Sequence, residues 1–588
     1  MTDPLRVANC SGFYGDRLSA AREMVEGGPI DVLCGDYLAE LTLMILLRDR
    51  QRDERLGFAR TFLRQLEEVA ASCLERGIRI VVNAGGLNPR GCAEAARAIY
   101  SRLGLRARVA HIEGDDLLPR LAELQAQGEP LAHLDRGVAL SSLDAPILSA
   151  NAYLGAWGIV AALERGADLV VCPRVTDAAL TLGPAAWKFG WKRDDWDRLA
   201  AGIVAGHILE CGAQCTGGNY AFFEEVPRLA HPGFPIAEIS GDGSFVITKH
   251  PGTGGRVSVG TVTAQLLYEI GGPEYPNPDV TARFDTIRLE PQGTDRVYVS
   301  GVRGEPPPPT TKVCINHHGG YRNSITFVLT GLAIEEKARL AEETLWEALG
   351  GREQFAETRV SLRRSAHPDP ESNEDASAFL TVSVKDPDPQ KVGRAFSGKG
   401  VEMALASYPG FYATAPPARE QLFGVYWPAV VAADRIQQRV VVEGETLEID
   451  PVQVPARSEP SAPPPAPVLQ GAPQPGSPTT RRPLGALCGA RSGDKGGNAN
   501  LGVWVRTPRA YPWLEDFLSI ERLRELLPET RSLEIERYPF PNLLAVNFVV
   551  KGLLGDGVAA SLRPDPQAKS LGEYLRARHV PIPEELMP

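Results

Sequence analysis

The stretch Ile78-Arg79-Ile80-Val81-Val82-Asn83-Ala84-Gly85-Gly86-Leu87-Asn88-Pro89 decides the fold class. Its first five residues form an apolar run too short for a helix. The run stops abruptly at a polar, glycine-rich turn, and a helical pattern then continues through Ala93 to Leu103. This is the pattern of a buried strand feeding a helix. Four other strands in the first 180 residues end in the same way. Leu5 to Cys10 runs into Ser11-Gly12-Phe13-Tyr14-Gly15-Asp16, and Asp31 to Cys34 stops at Gly35-Asp36. Arg108 to Ile112 stops at Glu113-Gly114-Asp115-Asp116, and Asp168 to Cys172 leads to Pro173-Arg174-Val175-Thr176-Asp177. Amphipathic helices lie between them, notably Phe58 to Glu75, where Phe58, Phe62, Leu66 and Val69 keep the 3.6-residue period. Short apolar strands alternating with such helices predict an α/β fold with an open, mainly parallel sheet and flanking helices.

The pattern changes near Gly233. Phe245 to Thr248, Arg256 to Val262 and Arg296 to Val302 read as β-rich, with glycine turns between them. Ser324 to Leu329, a helix over Glu335 to Leu349, Ala378 to Lys385 and a further helix over Lys391 to Ser407 predict an α+β second domain. Proline, serine and alanine dominate Pro451 to Pro483, a composition that buries too little apolar surface to order itself. Globular composition then resumes. Strands at Leu501 to Val505, Leu533 to Tyr538 and Leu544 to Val550, with helices at Ile520 to Leu527 and Leu571 to Arg578, predict a small ferredoxin-like α+β domain. The expected organisation is 1–232, 233–450, a linker at 451–482, and 483–588.

A chain of 588 residues exceeds one hydrophobic core, in keeping with several domains. A net charge of -11 argues against nucleic acid as a partner. Nine cysteines without dense spacing suit reduced thiols in a cytosol. No apolar run reaches the ~20 residues that span a bilayer, and Met1 to Arg6 has no signal pattern. A cytoplasmic chain with no membrane partner is expected, homo-oligomeric on the base rate for large α/β proteins.

In an open parallel sheet the carboxyl ends of the strands converge on one crevice. That crevice would collect Ser11, Tyr14, Asp16, Asp36, Asn83, Gly85, Gly86, Asn88, Arg174, Thr176 and Asp177. Amides at Gly85 and Gly86 suit a carboxylate, phosphate or enolate oxygen. Arg174 suits an anionic substrate, and Asp16, Asp36 and Asp177 are acid/base groups if burial raises their proton affinity. The plainer alternative is that the aspartates cap helices and the glycines permit tight turns. Glu210, just before the turn Gly217-Gly218-Asn219, is a further site carboxylate. Past the linker, Arg491-Ser492-Gly493-Asp494-Lys495-Gly496-Gly497-Asn498 has the donors and the cation to grip a phosphate or carboxylate. It reads equally as a β-hairpin turn. His207, Cys211 and Cys215 would share a helical face, but without a Cys-x-x-Cys knuckle a buried cysteine face is the better reading than zinc. The first strand is not followed by Gly-x-Gly-x-x-Gly, and no Gly-x-Ser-x-Gly elbow occurs. A nicotinamide dehydrogenase and an ordinary α/β-hydrolase are therefore disfavoured.

The ordered set Gly12-Phe13-Tyr14-Gly15-Asp16, Asn83 to Pro89, Gly206-His207-Ile208-Leu209-Glu210-Cys211-Gly212, Thr216 to Tyr220 and Arg491 to Asn498 resembles the AtuA family of acyclic terpene utilisation proteins. The likeness covers nearly the whole chain, including an AtuA-like ferredoxin-fold domain at the C-terminus. It implies catabolism of citronellol- and geraniol-type acids as CoA thioesters, and brings with it no reaction and no catalytic residues. The leading expectation is an enzyme on a small carboxylic acid or its acyl-CoA thioester, a hydratase or other lyase. Asp16, Asp177 or Glu210 would move the proton, and the glycine turns would hold an oxyanion. No resident cofactor is implied; CoA enters only as part of the substrate. Two alternatives stand beside it: a non-catalytic scaffold subunit of an acyl-CoA carboxylase-type complex, and a metal-dependent hydrolase using His207, His317 or His318.

Overall fold

The computed structural model describes residues 3–452, 454 and 477–587. Most of the expected proline-rich linker lies outside the described residues. Five parallel strands form the centre of the molecule: β1 (Leu5–Asn9), β2 (Val32–Gly35), β3 (Arg79–Val82), β4 (Val109–Glu113) and β6 (Leu169–Val171), where β5 (Ile147–Ala152) belongs to another sheet. Their spatial order is β1-β2-β3-β6-β4. Side chains alternate between the two faces, as a fully covered sheet requires. Val7, Val32, Cys34 and Val81 join the core against helices Trp157–Glu164, Ala179–Phe189 and Trp196–Leu209. Ala8, Leu33, Ile80 and Val82 join the core against helices Ala20–Glu26, Arg60–Arg76 and Pro89–Arg102.

The sheet does not stop near residue 232. Pro235–Ile239 pairs antiparallel with β1 and continues outward through Phe245–Lys249, Val297–Ser300 and Arg288–Pro291. On the other edge Gln438–Val442 and Glu445–Ile449 extend β4. The change of pattern at Gly233 thus marks a switch from parallel to antiparallel pairing within one 11-stranded sheet. Arg256 to Val262 also departs from its β-rich reading: Ser258 accepts from the Thr261 amide and starts the helix Val259–Leu266. The β-branched residues favour a strand locally, and the capping box overrides them.

A second sheet is organised on the 21-residue strand Thr310–Thr330. Its first half pairs with β5 and with Gln421–Ala432, and its second half with Ser377–Asp386. The C-terminal unit is a four-stranded antiparallel sheet, in the order Cys488–Lys495, Asn498–Val505, Ala545–Val550, Ile535–Phe540. The glycine-rich stretch is the end of its first hairpin, with Gly496-Gly497 as the turn. This unit is fastened to the large sheet domain by buried amides. The Glu269 amide donates to Asn500 Oδ1 at 2.8 Å, and Asn547 Nδ2 donates to Gly271 O at 2.7 Å.

Candidate active site

The helix start after β2, the first half of the long strand and the C-terminal hairpin meet at one open cleft of about 470 Å³, lined by Glu40, Met44, Asn316, Tyr426, Asp494 and Ala559 among others. A cluster of charged side chains from the carboxyl ends of the parallel strands adjoins it through Glu40. A second cavity of the same volume, beside Trp157 and Asp279, shares only Tyr153 with the cluster described next.

Asp36 follows β2. Asn83, fully buried after β3, donates to Asp36 Oδ1 at 2.6 Å and accepts from the Tyr37 amide at 2.7 Å. Arg174 is 3 % exposed, donates to Asp177 Oδ1 at 2.7 Å and lies 4.1 Å over the Tyr153 ring. Tyr153 donates to Glu40 Oε1 at 2.6 Å, and Lys312 Nζ is 3.5 Å from the same oxygen. Glu210 ends the segment after helix Trp196–Leu209, with its Oε1 3.3 Å from His207 Nδ1. Lys495 Nζ, at the hairpin end, donates to Glu269 O at 3.1 Å. Lys495 itself is exposed, and Asp494 and Gly496 on either side of it line the cleft.

Six carboxyl groups (Asp36, Glu40, Asp177, Glu210, Glu269, Asp494) therefore share the fields of Arg174, Lys312 and Lys495. Asp36 and Glu210 are buried and the other four half-buried. Even with Lys569 Nζ 3.8 Å from Glu269 Oε1 the carboxyls outnumber the cations, which favours protons on some of them. Burial, and then the neighbouring Asp177, push Asp36 and Glu210 well above the carboxylate range. Burial raises Asp177 as well, against the pull of Arg174. Burial and adjacent carboxylates bring Glu269 up to about 7 and Asp494 up to about 8. Glu40 goes the other way: burial would raise it, but Lys312, Arg174 and the Tyr153 hydroxyl hold it at about 2. Burial, with Lys312 close by, lowers Lys495 to about 8.

His207 is fully buried between Tyr275 and Phe284, and burial lowers it to about 4. Its Nε2 lies 3.1 Å from Gln265 O, while Gln265 Nε2 donates to His207 O at 3.1 Å. A neutral ring donating from Nε2 turns an unprotonated Nδ1 toward Glu210, the arrangement that suits a protonated Glu210. Several buried polar atoms around the cluster have no hydrogen-bond partner among the described residues: Glu210 Oε2, Thr176 Oγ1, Arg174 Nε, Gln265 Oε1 and Tyr426 Oη. Buried polar atoms left open in one place mark room for a ligand or water.

The profile of the acyclic terpene utilisation family protein AtuA matches residues 5–442. The chain belongs to that family. The AtuA ferredoxin-like domain matches residues 482–581, the unit that carries Asp494 and Lys495. No curated protein and no solved structure gives a significant match to the chain. Acyclic terpene utilisation, the role that names the AtuA family, is consistent with a catabolic part for this member.

The sequence-predicted residues of this AtuA chain divide into two sets. Asp36, Asn83, Arg174, Thr176, Asp177, Glu210, Asp494 and Lys495 meet at the cluster. The rest serve the frame around it. The Gly85 and Gly86 amides are committed to Cys172 O at 3.0 Å and Asn83 O at 3.3 Å, so they are not free donors for an oxyanion. A Cβ at Gly86 would meet Leu46 Cδ1 at 2.4 Å, and one at Gly85 would meet Cys172 O at 2.6 Å; both glycines permit close packing. Asp16 accepts from the Gly12 amide at 2.8 Å and the Arg17 amide at 2.7 Å, which closes its own turn. Ser11 bonds within the same loop, and Tyr14 packs beside Leu38 and Leu43. Asn88 caps helix Pro89–Arg102 by accepting from Gly91. Gly217 and Gly218 donate to Gln214 O and Ala213 O, and Asn219 is exposed at a positive φ of 58°. Arg491 reaches Gln214 and stacks on Tyr268, and Asn498 donates to Asp135 at 2.8 Å; both fasten the C-terminal unit.

Sequence reasoning passed over Glu40, Tyr153, Glu269 and Lys312. Glu40 sits in the first turn of its helix, where an acidic residue is ordinary. Lys312 is the one charged residue in Thr310-Thr311-Lys312-Val313-Cys314-Ile315, a signal that was legible. Glu269 takes a φ of 57° ahead of Gly271-Gly272, a strained choice for a side chain that is not glycine. Among the described residues, no three His, Cys, Asp or Glu side chains are arranged to hold a metal ion, and no helix is long and apolar enough to cross a membrane. All nine cysteines are free.

Proposed function

We propose that the chain is an enzyme acting at the carbon next to an acid or thioester carbonyl, a hydratase or related lyase on acyclic acyl substrates. One observation carries this reading: carboxyls of one interacting cluster have their proton affinities pushed apart. Against its burial, Lys312, Arg174 and the Tyr153 hydroxyl hold Glu40 low, while burial and the Asp177 charge push Glu210 and Asp36 up. Such a split supplies a base and an acid at one pH.

In the dehydrating direction a cleft carboxylate takes the α-proton. The electron pair forms the carbon–carbon double bond as the β carbon–oxygen bond breaks. The hydroxyl leaves as water with the proton of Glu210, whose Oε2 has no hydrogen-bond partner among the described residues. Arg174 supplies fixed positive charge for the enolate-like oxygen, a role the glycine amides cannot take. Water addition is the same path reversed.

The test is deuterium exchange in D2O, read by mass spectrometry across branched acids, 3-hydroxyacyl-CoAs and enoyl-CoAs. Incorporation at the α carbon is expected, with the gain or loss of water, read in the same spectra, slowed by roughly 10² to 10⁴ in Glu210→Gln. No incorporation into any of them by the unaltered protein, or an equal rate in the variant, would overturn the assignment.

A further inference from the structure

The cleft leads outward along helix Glu40–Arg52. Glu40 stands at its inner end, and Leu41 and Met44 line its wall. Ile45 is exposed on the next turn, and Arg48 follows one turn beyond. At the rise of an α-helix, Glu40 to Arg48 spans ~12 Å. The helix lies against strand Gln421–Ala432, where a Cβ on Gly424 would touch Met44, and Arg48 donates to Leu422 O. Across that strand Tyr321 and Arg322 are the register partners of Leu422 and Gln421. Arg322 donates to Ala559 O at 2.9 Å, and Ala559 lines the cleft. The two guanidiniums therefore flank the outer end of one apolar groove. Both use a main-chain carbonyl as partner, and neither has a carboxylate among the described residues. Burial and the nearby Arg48 both oppose the charge on Arg322.

The concentration of charge continues outward. Arg322 is cross-strand from Lys385, and two residues along the same sheet face Ser383 is cross-strand from Arg359. Arg359 faces Arg563 and Arg363, and also Glu529 and Glu357. Lys385 pairs with Glu357 and Arg563 with Glu529, so these outer cations are matched. Arg48 and Arg322, close together and each held only by a main-chain carbonyl among the described residues, impose a repulsion that an anion would relieve. Guanidinium pairs suit the oxygens of phosphates and carboxylates, and the reach of the groove decides between them.

We infer that this rim is a phosphate site: Arg48 and Arg322 grip the phosphate ester of a substrate whose apolar arm lies along Leu41, Met44 and Ile45. The orientation of that arm, with its reacting end at Glu40, rests on the function proposed above. A small free acid does not reach across ~12 Å; a substrate with a phosphorylated handle does. That handle is either a nucleotide-linked carrier or the phosphate of an apolar alcohol.

Isothermal titration of the full chain tests it with four probes: coenzyme A, pantetheine, decyl phosphate and inorganic pyrophosphate. Coenzyme A or decyl phosphate should bind at least about tenfold tighter than pantetheine, weaken with salt, and be displaced by pyrophosphate. Whichever of the two binds tighter identifies the handle. Arg48→Gln combined with Arg322→Gln should remove that preference and leave pantetheine unchanged, with an unaltered circular dichroism spectrum and melting curve. Equal affinity for phosphorylated and unphosphorylated probes, or a preference retained in a folded double variant, would overturn the assignment. Binding is read here without turnover. A missing phosphate preference in the unaltered chain therefore refutes the rim alone, and absent deuterium exchange with the preference intact refutes the acid–base chemistry alone.

Discussion

Replacing Gly86 by alanine separates a packing role from a substrate role at the end of β3. Gly86 has φ +51°, a left-handed conformation that costs a residue with a Cβ about 1 to 2 kcal/mol. Its new methyl would stand 2.4 Å from Leu46 Cδ1 and 2.9 Å from Gly57 O. Leu46 is fully buried and the Gly57 oxygen is main chain, so neither yields freely. Such overpacking adds roughly 1 to 3 kcal/mol. Gly77 is the control: its φ is +68° and nothing lies within 4 Å of its Cβ position, so Gly77→Ala carries the backbone cost alone. Urea unfolding of the two variants, followed by tryptophan fluorescence, should show Gly86→Ala weaker than Gly77→Ala by about 1 to 3 kcal/mol. Equal unfolding midpoints would refute the packing argument. A Gly86→Ala protein as stable as the control, yet unable to exchange α-protons, would return these amides to the oxyanion site.

Three further outcomes follow from the same geometry. The Glu269 carboxyl titrates near 7 when folded and at 4.5 ordinarily, so the folded chain holds an extra proton between those values. That stabilisation is complete below 4.5 and is lost as pH rises toward about 7, so melting curves across this range should fall less steeply in Glu269→Gln than in the unaltered chain. Tyr153→Phe removes the 2.6 Å hydrogen bond that helps to hold Glu40 ionised; the acid limb of the exchange profile should move up by about one pH unit, and an unmoved limb would take Glu40 out of the chemistry. Asp16→Ala should cost about 1 to 2 kcal/mol through two lost turn bonds and leave the exchange rate unchanged, whereas loss of exchange in a folded variant would make Asp16 an acid/base group after all.

How much was readable depended on the range of the interaction that settles each residue. The strand ends Asp36, Asn83 and Asp177 could be read because a parallel sheet places consecutive carboxyl ends together whatever its loops contain. Glu210 could be read from its turn. Glu40 and Glu269 could not, because each sits where a local reason suffices: a helix first turn and the approach to a glycine turn. Lys312, a lone charge in an apolar strand, left a signal but not its partner. The amides of Gly85 and Gly86 misled for a related reason. A glycine pair after a strand looks the same in sequence whether its N–H groups face a ligand or a neighbouring carbonyl.

The amino-acid order alone determined the parallel α/β core, the separate C-terminal unit and the family, since these rest on periodicity, turn chemistry and ordered motifs that act within a few residues. Only the tertiary structure decided that the sheet continues through residues 235–300 and 438–449, and that a helix turn, a long strand and a distant hairpin deliver Glu40, Lys312 and Lys495 to one cleft. The physical reason is that proton affinity and charge pairing are set by burial and by neighbours in space. Those neighbours come from segments hundreds of residues apart, and no local pattern records their meeting.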